Sequence, residues 1–259
     1  MDFGIAGRKA IICASSRGLG RACAQALAEA GCEVVINGRD AATLEATAAD
    51  LRKATGAKVT AVAADVATPD GQAALFRACP EPDILVNNNA GPPPRDFREL
   101  NRSTILEGVI ANMVVAIELT QKVIDQMVAK KFGRIVNITS GTVKLPQAGL
   151  DLSSGARGGL SIFLAGIARQ VVGSNVTINN LLPGAFDTDR LATVLGGIAK
   201  RKGVSLAEVR AERIASIPAK RIGVPAEFGA ACAFLCSAQA GFITGQNLLI
   251  DGGAFPGAF

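Results

Sequence analysis

The segment CASSRGLGRACA, residues 13–24, decides the fold predicted for this chain, because it follows an apolar run and opens a helical pattern. Gly18 and Gly20 allow the backbone to turn tightly and to lie close to a pyrophosphate, which the amides and dipole of the following helix would bind. The spacing is that of G-x-x-x-G-x-G, with Ala14 in place of the first glycine. A strand-to-helix turn without a ligand would show the same residues, so this segment alone leaves both interpretations open.

Short apolar runs alternate with Ala-rich helical segments along the whole chain. The strand candidates are KAIICA, EVVIN, KVTAVAA, DILVN, GRIVNIT, NVTINNLL and NLLID. Each run is almost continuously apolar, which is typical of parallel strands covered by helices on both faces. The alternation predicts an α/β fold: a single doubly wound Rossmann domain over residues 1–259, with a seven-stranded parallel sheet and helices on both faces.

An extra helical stretch interrupts this alternation after the sixth strand candidate. It covers residues from about 190 to 220, before the next regular helix at Pro225, and Ser205-x-x-Glu208 forms a capping box that predicts a helix start. Ligands of doubly wound sheets bind beyond the carboxyl ends of the strands. We therefore predict a small helical lid over the site, with a surface ornament as the alternative.

Two absences limit the chemistry more than the overall composition does. The 259 residues are 49% hydrophobic and include neither His nor Tyr, so a Ser-His-Asp triad cannot form and no metal site is expected. The net charge of +5 comes from dispersed basic residues, which favours phosphorylated small ligands over nucleic acid. Six scattered cysteines predict reduced thiols in a cytoplasmic protein, and neither a signal peptide nor a membrane-spanning run is evident.

The end of the second strand candidate favours NADP over NAD. It reads VVINGRD, which places Arg39 where an adenosine ribose would lie, and Arg17 is a second cation at the same end of the sheet. A carboxylate there would bind the 2′-hydroxyl of NAD, whereas an arginine accommodates a 2′-phosphate. This end carries Asn37, Gly38 and Arg39, with no carboxylate until Asp40. We therefore expect NADPH as the preferred cofactor, with two solvated arginines as the alternative.

These residues and several downstream resemble the short-chain dehydrogenase/reductase family along nearly the whole chain. AADV is similar to the family's adenine-contacting segment, VNNNAG to its Asn-Asn-Ala-Gly signature, PGAFDT to the segment facing the nicotinamide, and FITGQNLLIDGG to its closing strand. The signature has two registers here, since counting from the strand would begin it at Asn87. The resemblance implies that the cofactor-binding residues are Ala14, Ser15, Ser16, Arg17, Gly18, Leu19, Gly20, Arg39, Asp65, Val66, Asn88, Asn89, Ala90, Gly91, Pro183, Gly184, Phe186 and Thr188.

The resemblance also implies a catalytic site in which two residues have been replaced. In the family, a serine orients the carbonyl, a tyrosine protonates the alkoxide, a lysine lowers the pKa of that tyrosine, and an asparagine holds a relay water. Asn112 and Ser140 match two of these positions. Ser153 and Arg157 stand where Tyr-x-x-x-Lys would be, in the segment DLSSGARGGL, residues 151–160. The chain therefore resembles a divergent branch with Ser-x-x-x-Arg.

This replacement changes how a proton can be delivered to the product. A tyrosine hydroxyl has a pKa of about 10, which a nearby cation can tune, whereas an aliphatic hydroxyl is a far weaker acid. Arginine stays protonated and supplies only fixed charge. Lys144, four residues after Ser140, is the candidate replacement donor, with Asp151 as a weaker one. Two alternatives stay open: Ser153 or Ser154 as a helix N-cap, and Lys144 as a solvated loop charge.

Together these features predict an NADP-dependent oxidoreductase that transfers a hydride between NADPH and a carbonyl or alcohol substrate. A small-molecule carbonyl or an acyl thioester, by default a 3-oxoacyl thioester, is the expected substrate. The rival hypothesis is an NADP-binding protein with little or no catalytic activity, acting as a sensor or a structural partner. The resemblance further implies a homodimer or homotetramer formed through the helices that carry Asn112 and Arg157.

Overall fold

The computed structural model describes residues 2–258, and its seven strands form one parallel sheet in the order β3-β2-β1-β4-β5-β6-β7. The predicted seven-stranded doubly wound sheet is confirmed, and every strand overlaps the apolar run that predicted it. The strands are β1 (Lys9–Ile12), β2 (Glu33–Gly38), β3 (Val59–Ala63), β4 (Ile84–Asn87), β5 (Gly133–Ile138), β6 (Val176–Pro183) and β7 (Asn247–Ile250).

Helices cover both faces of the sheet, as the continuous apolar runs predicted. They are α1 (Gly18–Glu29), α2 (Ala41–Thr55), α3 (Pro69–Ala78), α4 (Arg102–Val109), α5 (Val115–Ala129), α6 (Asp151–Val171), α7 (Asp189–Lys202), α8 (Leu206–Ser216) and α9 (Pro225–Cys236). One core cluster joins the sheet to α1, α2 and α9, and the other joins it to α3, α5 and α6. Ile12 and Ile11 of β1 belong to opposite clusters and neither is exposed. Because successive side chains of a strand point to opposite faces, both must be apolar.

The strand order reverses between β1 and β4, which brings the loops after these two strands together at the carboxyl edge of the sheet. The two loops are joined by a hydrogen bond that Asn88 Nδ2 donates to the carbonyl oxygen of Ala14, at 3.0 Å. A Cβ atom at Gly20 would lie only 2.4 Å from that oxygen, so α1 can start this close to the turn only with glycine there. Ala14 itself has a φ of 44°, a left-handed conformation that favours glycine, which explains why the motif places a glycine there.

The helical excursion predicted for about 190–220 consists of the two helices α7 and α8. Thr188 caps α7 by accepting a hydrogen bond from the backbone N–H of Leu191. The capping box predicted at Ser205 and Glu208 is present, and α8 begins directly after it. The helix predicted to begin at Pro225 does so.

The interpretation of Ser153 or Ser154 as a helix N-cap is wrong. Helix α6 begins earlier, at Asp151, and Leu150 holds the N-cap position. Both serines therefore lie inside the first turn of α6, where they are buried. Their hydroxyls bond to side-chain and backbone groups of the helix itself, and not to its free N-terminal amides.

The helical stretch from Arg102 to Ala129 is 28 residues long and continuous. By length and composition it is apolar enough to cross one, a test that core helices of soluble proteins also pass. In its second half, Leu119, Val123 and Met127 are fully buried against the sheet. Between α4 and α5 it forms a π-helical turn, Ile110–Val114.

Candidate active site

The turn after β1 is held by hydrogen bonds to the neighbouring strands. Ser15 is fully buried; its Oγ donates to the carbonyl oxygen of Ile12 at 2.7 Å and accepts from the N–H of Asn37 at 3.0 Å. The side chain of Asn37 accepts from the N–H of Ala14 and donates to backbone carbonyls beside β3. Arg17 holds the N-cap position of α1, and its side chain makes no capping hydrogen bond to the first amides of the helix. The first amides of α1 are therefore available to bind an anion.

At the end of β2, the guanidinium of Arg39 is free, whereas the carboxylate of Asp40 is already bonded as a helix cap. Asp40 caps α2 by accepting a hydrogen bond from the N–H of Thr43 at 2.8 Å. The hydrogen bonds from Thr43, with a smaller contribution from Arg17, lower the pKa of Asp40. Arg39 is exposed and takes part in no ion pair among residues 2–258. The end of β2 therefore suits the 2′-phosphate of NADP better than the 2′-hydroxyl of NAD, because no free carboxylate lies there.

The predicted cofactor residues after β3 lie on the same carboxyl edge of the sheet. The carboxylate of Asp65 accepts a hydrogen bond from the N–H of Ala67 at 2.9 Å, which fixes this loop. Val66 is buried, and its carbonyl accepts from Gln72 Nε2. The segment is thereby held at the position predicted for contact with an adenine ring.

The segment after β6 lies on the other side of this edge. A Cβ atom at Gly184 would lie 2.6 Å from the side chain of Asp251, so the position requires glycine. Phe186 is buried and packs edge to face against Phe228, with ring centroids 5.3 Å apart. Of Phe186 only the backbone can therefore contact a cofactor. A Cβ atom placed on Gly18 would lie 3.7 Å from the methyl group of Thr188. The starts of α1 and α7 therefore lie side by side.

The structure also shows how the asparagine-rich segment is divided between strand and loop. Asn87 is the last residue of β4; it is buried and donates to Asn137 Oδ1 at 2.9 Å. The residues from Asn88 to Gly91 form the loop, where Asn89 Nδ2 donates to the carbonyl of Ala111. Asn88 and Asn89 therefore join the loop to the turn after β1 and to the π-helical turn.

Ser140 follows β5 and keeps a hydrogen atom free to donate. Its Oγ accepts from the N–H of Thr142 at 3.2 Å and from Thr142 Oγ1 at 2.9 Å, so its own hydroxyl hydrogen can point elsewhere. The sequence reasoning missed Thr142, although its Ser-x-Thr spacing to Ser140 was a usable signal. Lys144 is half-buried, and its Nζ lies 5.8 Å from the ring centroid of Phe255, so the end of the chain lies against this loop.

Ser153 and Arg157 are in direct contact on α6. Arg157 Nη1 donates to Ser153 Oγ at 2.5 Å, and Nη2 donates to the carbonyl of Asn89 at 3.4 Å. Burial, and then the charge of Arg190, lower the pKa of Arg157 to about 10. The guanidinium is still protonated at neutral pH, and no carboxylate of the described residues pairs with it. Sequence reasoning missed Arg190, because α7 and α8 carry many basic residues and nothing distinguishes this one.

Asn112 lies in the π-helical turn and lines a small cavity. Its Nδ2 donates to the carbonyl of Gly108 at 3.1 Å. Its Oδ1 is buried and has no hydrogen-bond partner within residues 2–258, and the same holds for Oδ1 of Asn87. Both residues line this cavity together with Arg157. Buried acceptors beside a guanidinium are ready to hold a polar group, and π-helical turns are frequent at functional sites.

The predicted catalytic residues therefore form one group with two outlying members. Asn112 and Arg157 share the cavity, Ser153 is bonded to Arg157, and the short helix after Ser140 packs against α6. Lys144 follows the short helix after Ser140, and its Nζ lies next to the ring of Phe255. Asp151 is exposed and accepts a hydrogen bond from the N–H of Gly149, outside this group.

A phosphate-binding turn at the switch point of a parallel sheet, beside hydroxyl donors and a buried cation, defines a dehydrogenase or reductase of the dinucleotide-binding class. Residues 13–254 match the family model described as enoyl-(acyl carrier protein) reductase. The chain belongs to the short-chain dehydrogenase/reductase family.

Relatives and solved structures are matched over nearly their whole length. The NADPH-dependent reductase BacG of Bacillus subtilis is 31% identical over 252 residues, which are 95% of this chain and 97% of the relative. The 3-oxoacyl-[acyl-carrier-protein] reductase FabG of Vibrio cholerae is 32% identical over 96% of this chain and 98% of the relative. The structure of L-sorbose reductase from Gluconobacter frateurii, complexed with NADPH and L-sorbose, superposes with a TM-score of 0.93 at 27% identity, covering 99% of this chain and 100% of that one.

Replacing Arg157 by Met should stabilise the free protein. Burial disfavours the charged guanidinium and no carboxylate compensates it, so an apolar side chain of similar length removes a desolvation cost. We expect the free energy of unfolding, measured by urea titration, to rise by about 1 kcal/mol. Arg169→Met, at an exposed position of the same helix, is the control and should change it by less than about 0.5 kcal/mol. A loss of stability in Arg157→Met would show that the bonds to Ser153 and Asn89 outweigh the cost of burial.

Proposed function

We propose that this chain is an NADP-dependent oxidoreductase that transfers a hydride between NADPH and a carbonyl or alcohol substrate through an atypical catalytic site. The observation that carries the proposal is the convergence of the uncapped start of α1, the unpaired Arg39 and the free hydroxyl hydrogen of Ser140 on one edge of the sheet. Relatives named as an NADPH-dependent reductase and as 3-oxoacyl-[acyl-carrier-protein] reductases support it. Their match over the whole length supports a single domain over residues 1–259.

The cofactor is held by backbone amides and two guanidinium groups. The first amides of α1 bind the pyrophosphate, and Arg17 and Arg39 bind the 2′-phosphate, since Asp40 is occupied as a helix cap. The loops after β3, β4 and β6 line the rest of the site. When bound, NADPH supplies the hydride.

The chain's own residues orient the carbonyl and balance the charge that develops on its oxygen. Ser140 donates its free hydrogen to the carbonyl oxygen, and Thr142 holds Ser140 in that orientation. The Arg157 guanidinium supplies fixed positive charge beside the reacting carbonyl. Asn112 presents its unpaired carbonyl oxygen to the cavity beside Arg157.

Proton delivery in this site falls to Lys144 rather than to Ser153. Ser153 accepts a hydrogen bond from Arg157 and so keeps its hydrogen for donation, but an aliphatic hydroxyl is too weak an acid to give up the proton. An ammonium group is a stronger acid by many orders of magnitude. Lys144 is half-buried on the loop that begins at Ser140, beside Phe255, and forms no ion pair with the described residues.

Three alanine variants test these roles. NADPH oxidation is monitored with 3-oxoacyl thioesters, diketones and quinones, with 3-oxoacyl thioesters as the first class because of the named relatives. We expect Ser140→Ala and Lys144→Ala to lower kcat by about 10²- to 10⁴-fold, the usual effect of losing a positioned acid or donor. Ser153→Ala should retain most of the activity, and Lys53→Ala, on the surface of α2, is the matched control.

The same experiment separates the competing hypotheses. Loss of turnover confined to Ser153→Ala would overturn the assignment of Lys144 as the proton donor. Tight NADPH binding without turnover of any substrate in the panel would favour the alternative, a binding protein with little or no catalysis. That alternative is kept because the chain has neither a tyrosine nor a lysine at the usual positions.

Reversing the charge at Arg39 tests the cofactor preference. Arg39→Asp should weaken NADPH binding by about 10- to 100-fold, because a charge-assisted contact to the 2′-phosphate is lost and a repulsion is gained. The Kd for NADH should change little or improve, since a carboxylate there can accept from a 2′-hydroxyl. The Kd values are measured by cofactor fluorescence, with Arg77→Asp on the surface of α3 as the control. Equal losses for both cofactors would contradict the assignment of Arg39.

An exposed apolar patch supports assembly of the chain into a homodimer or homotetramer. The large apolar side chains of the patch lie on the stretch from α4 into the π-helical turn and on α6, which pack side by side: Ile105, Leu106, Ile110, Ile162 and Phe163. Ile162 is 80% exposed, and several large exposed apolar side chains on adjacent helices are typical of an interface. The six cysteines are all buried and free, which supports a cytoplasmic location.

A charged residue within this patch should break the assembly. Ile162→Lys would have to bury an ammonium group in an apolar interface. We expect analytical ultracentrifugation to show a smaller species than the unmodified chain at the same concentration. Phe242→Lys, at a fully exposed position outside the patch, is the comparison. A monomeric unmodified chain would overturn this part of the proposal.

A further inference from the structure

Two arginines from different helices converge on Gly91, in the loop after β4. A Cβ atom placed on Gly91 would lie 3.2 Å from Arg157 Nη1 and 3.5 Å from Arg190 Nη2. Arg157 comes from α6, whereas Arg190 is in the first turn of the lid helix α7 and donates to the carbonyl of Pro92 at 3.2 Å. The two guanidinium groups therefore face the same small volume from two sides.

Neither arginine has a carboxylate partner in the part of the chain that the structure describes. The nearest acids in sequence are directed elsewhere. Asp187 accepts two hydrogen bonds from Arg210, and Asp189 lies 3.8 Å from Arg17. Two like charges held close together without a counter-ion repel each other and favour the binding of an anion. Guanidinium groups bind carboxylates and phosphates in a bidentate manner.

The position of the pair assigns this anion to the substrate. The cofactor phosphates are expected at the start of α1 and at Arg39, whereas the two guanidinium groups of the pair belong to α6 and α7. Arg157 is bonded instead to Ser153, on the side of the predicted catalytic residues. An anion on Arg157 lies roughly two hydrogen-bond lengths, about 6 Å, from Ser153 Oγ. A carboxylate bound there fits a substrate whose carbonyl group is one or two carbon atoms away.

We propose that Arg157 and Arg190 together bind a carboxylate of the substrate, so that the carbonyl substrates of this enzyme are 2-oxo or 3-oxo acids. The inference rests on the proposed function and narrows its substrate class to compounds with a negative charge next to the reacting carbon. Because Arg190 belongs to α7, the bound carboxylate also joins the lid to α6. Substrate binding thereby holds the lid over the site.

The test compares acids with their neutral esters. NADPH oxidation is measured with acetoacetate and 2-oxo-4-phenylbutyrate and with the ethyl ester of each. The unmodified enzyme should prefer the acids. Arg190→Met should raise KM for the acids by about 10- to 100-fold and leave the esters unchanged, because a charge-assisted pair of hydrogen bonds is lost. Arg190→Lys should recover part of the loss, and Arg201→Met, at the exposed end of the same helix, should match the unmodified enzyme.

A binding measurement keeps the inference testable without turnover. Oxalate, a small dicarboxylate, is titrated calorimetrically into the complex of the protein with NADP. We expect it to bind the unmodified protein and to bind Arg190→Met at least about 10-fold more weakly. The Kd for NADPH, measured by its fluorescence in this Tyr- and Trp-free chain, should be the same in both.

The outcomes distinguish this inference from the proposed function. Equal weakening of NADPH binding in Arg190→Met would assign the arginines to the cofactor phosphates and overturn the inference. Equal turnover of acids and esters, or a clear preference for acyl thioesters that is insensitive to Arg190, would also overturn it while the oxidoreductase function stands. Oxalate binding that depends on Arg190, with no turnover of any carbonyl, would support the carboxylate site and refute the reductase.

Discussion

The carbonyl oxygen of Ala14 joins the loops that follow β1 and β4, the two paired strands at which the sheet changes direction. Asn88, from the loop after β4, donates a hydrogen bond to it, and Gly20 leaves just enough room for α1 to start beside it. A larger residue at position 20 would push the helix away from the turn. The crevice between the two halves, the uncapped start of α1 and the direction of the β4 loop all depend on this contact, because it sets how closely α1 and β4 approach each other.

Charge is distributed along this crevice so that cations are left free and acids are engaged. Asp40 caps α2, Asp187 is bonded to Arg210, and Asp189 faces Arg17. Arg39 remains unpaired at the end of β2, and Arg157 lines the cavity beside Asn112. Unpaired buried or crowded cations lower the stability of the free protein, a cost that functional sites commonly carry. The candidate site is therefore rich in fixed positive charge.

Much of this could be predicted from particular residues. The apolar runs predicted all seven strands because a strand covered on both faces must be apolar at every position, as Ile11 and Ile12 show. Ser205 with Glu208 predicted the start of α8 through local capping. The N-cap assignment of Ser153 and Ser154 failed, because α6 begins at Asp151 and the packing of its first turn, not a capping side chain, sets its start. Arg190 was missed, since its importance lies in contacts made across the fold with Gly91 and Pro92, whereas the local spacing of Thr142 to Ser140 was overlooked.

Sequence alone determined the class of fold, the membership in a family with a nicotinamide cofactor, and the absence of any phenol or imidazole. These properties depend on residue type, local spacing and periodicity, which the chain carries without being folded. Only the tertiary structure decided which charges are free and which are paired, and which side chains meet at Gly91. Ion pairs and convergent arginines join residues that are far apart in the sequence, such as Arg17 with Asp189 and Arg157 with Arg190. The physical quantity that governs them is distance in space.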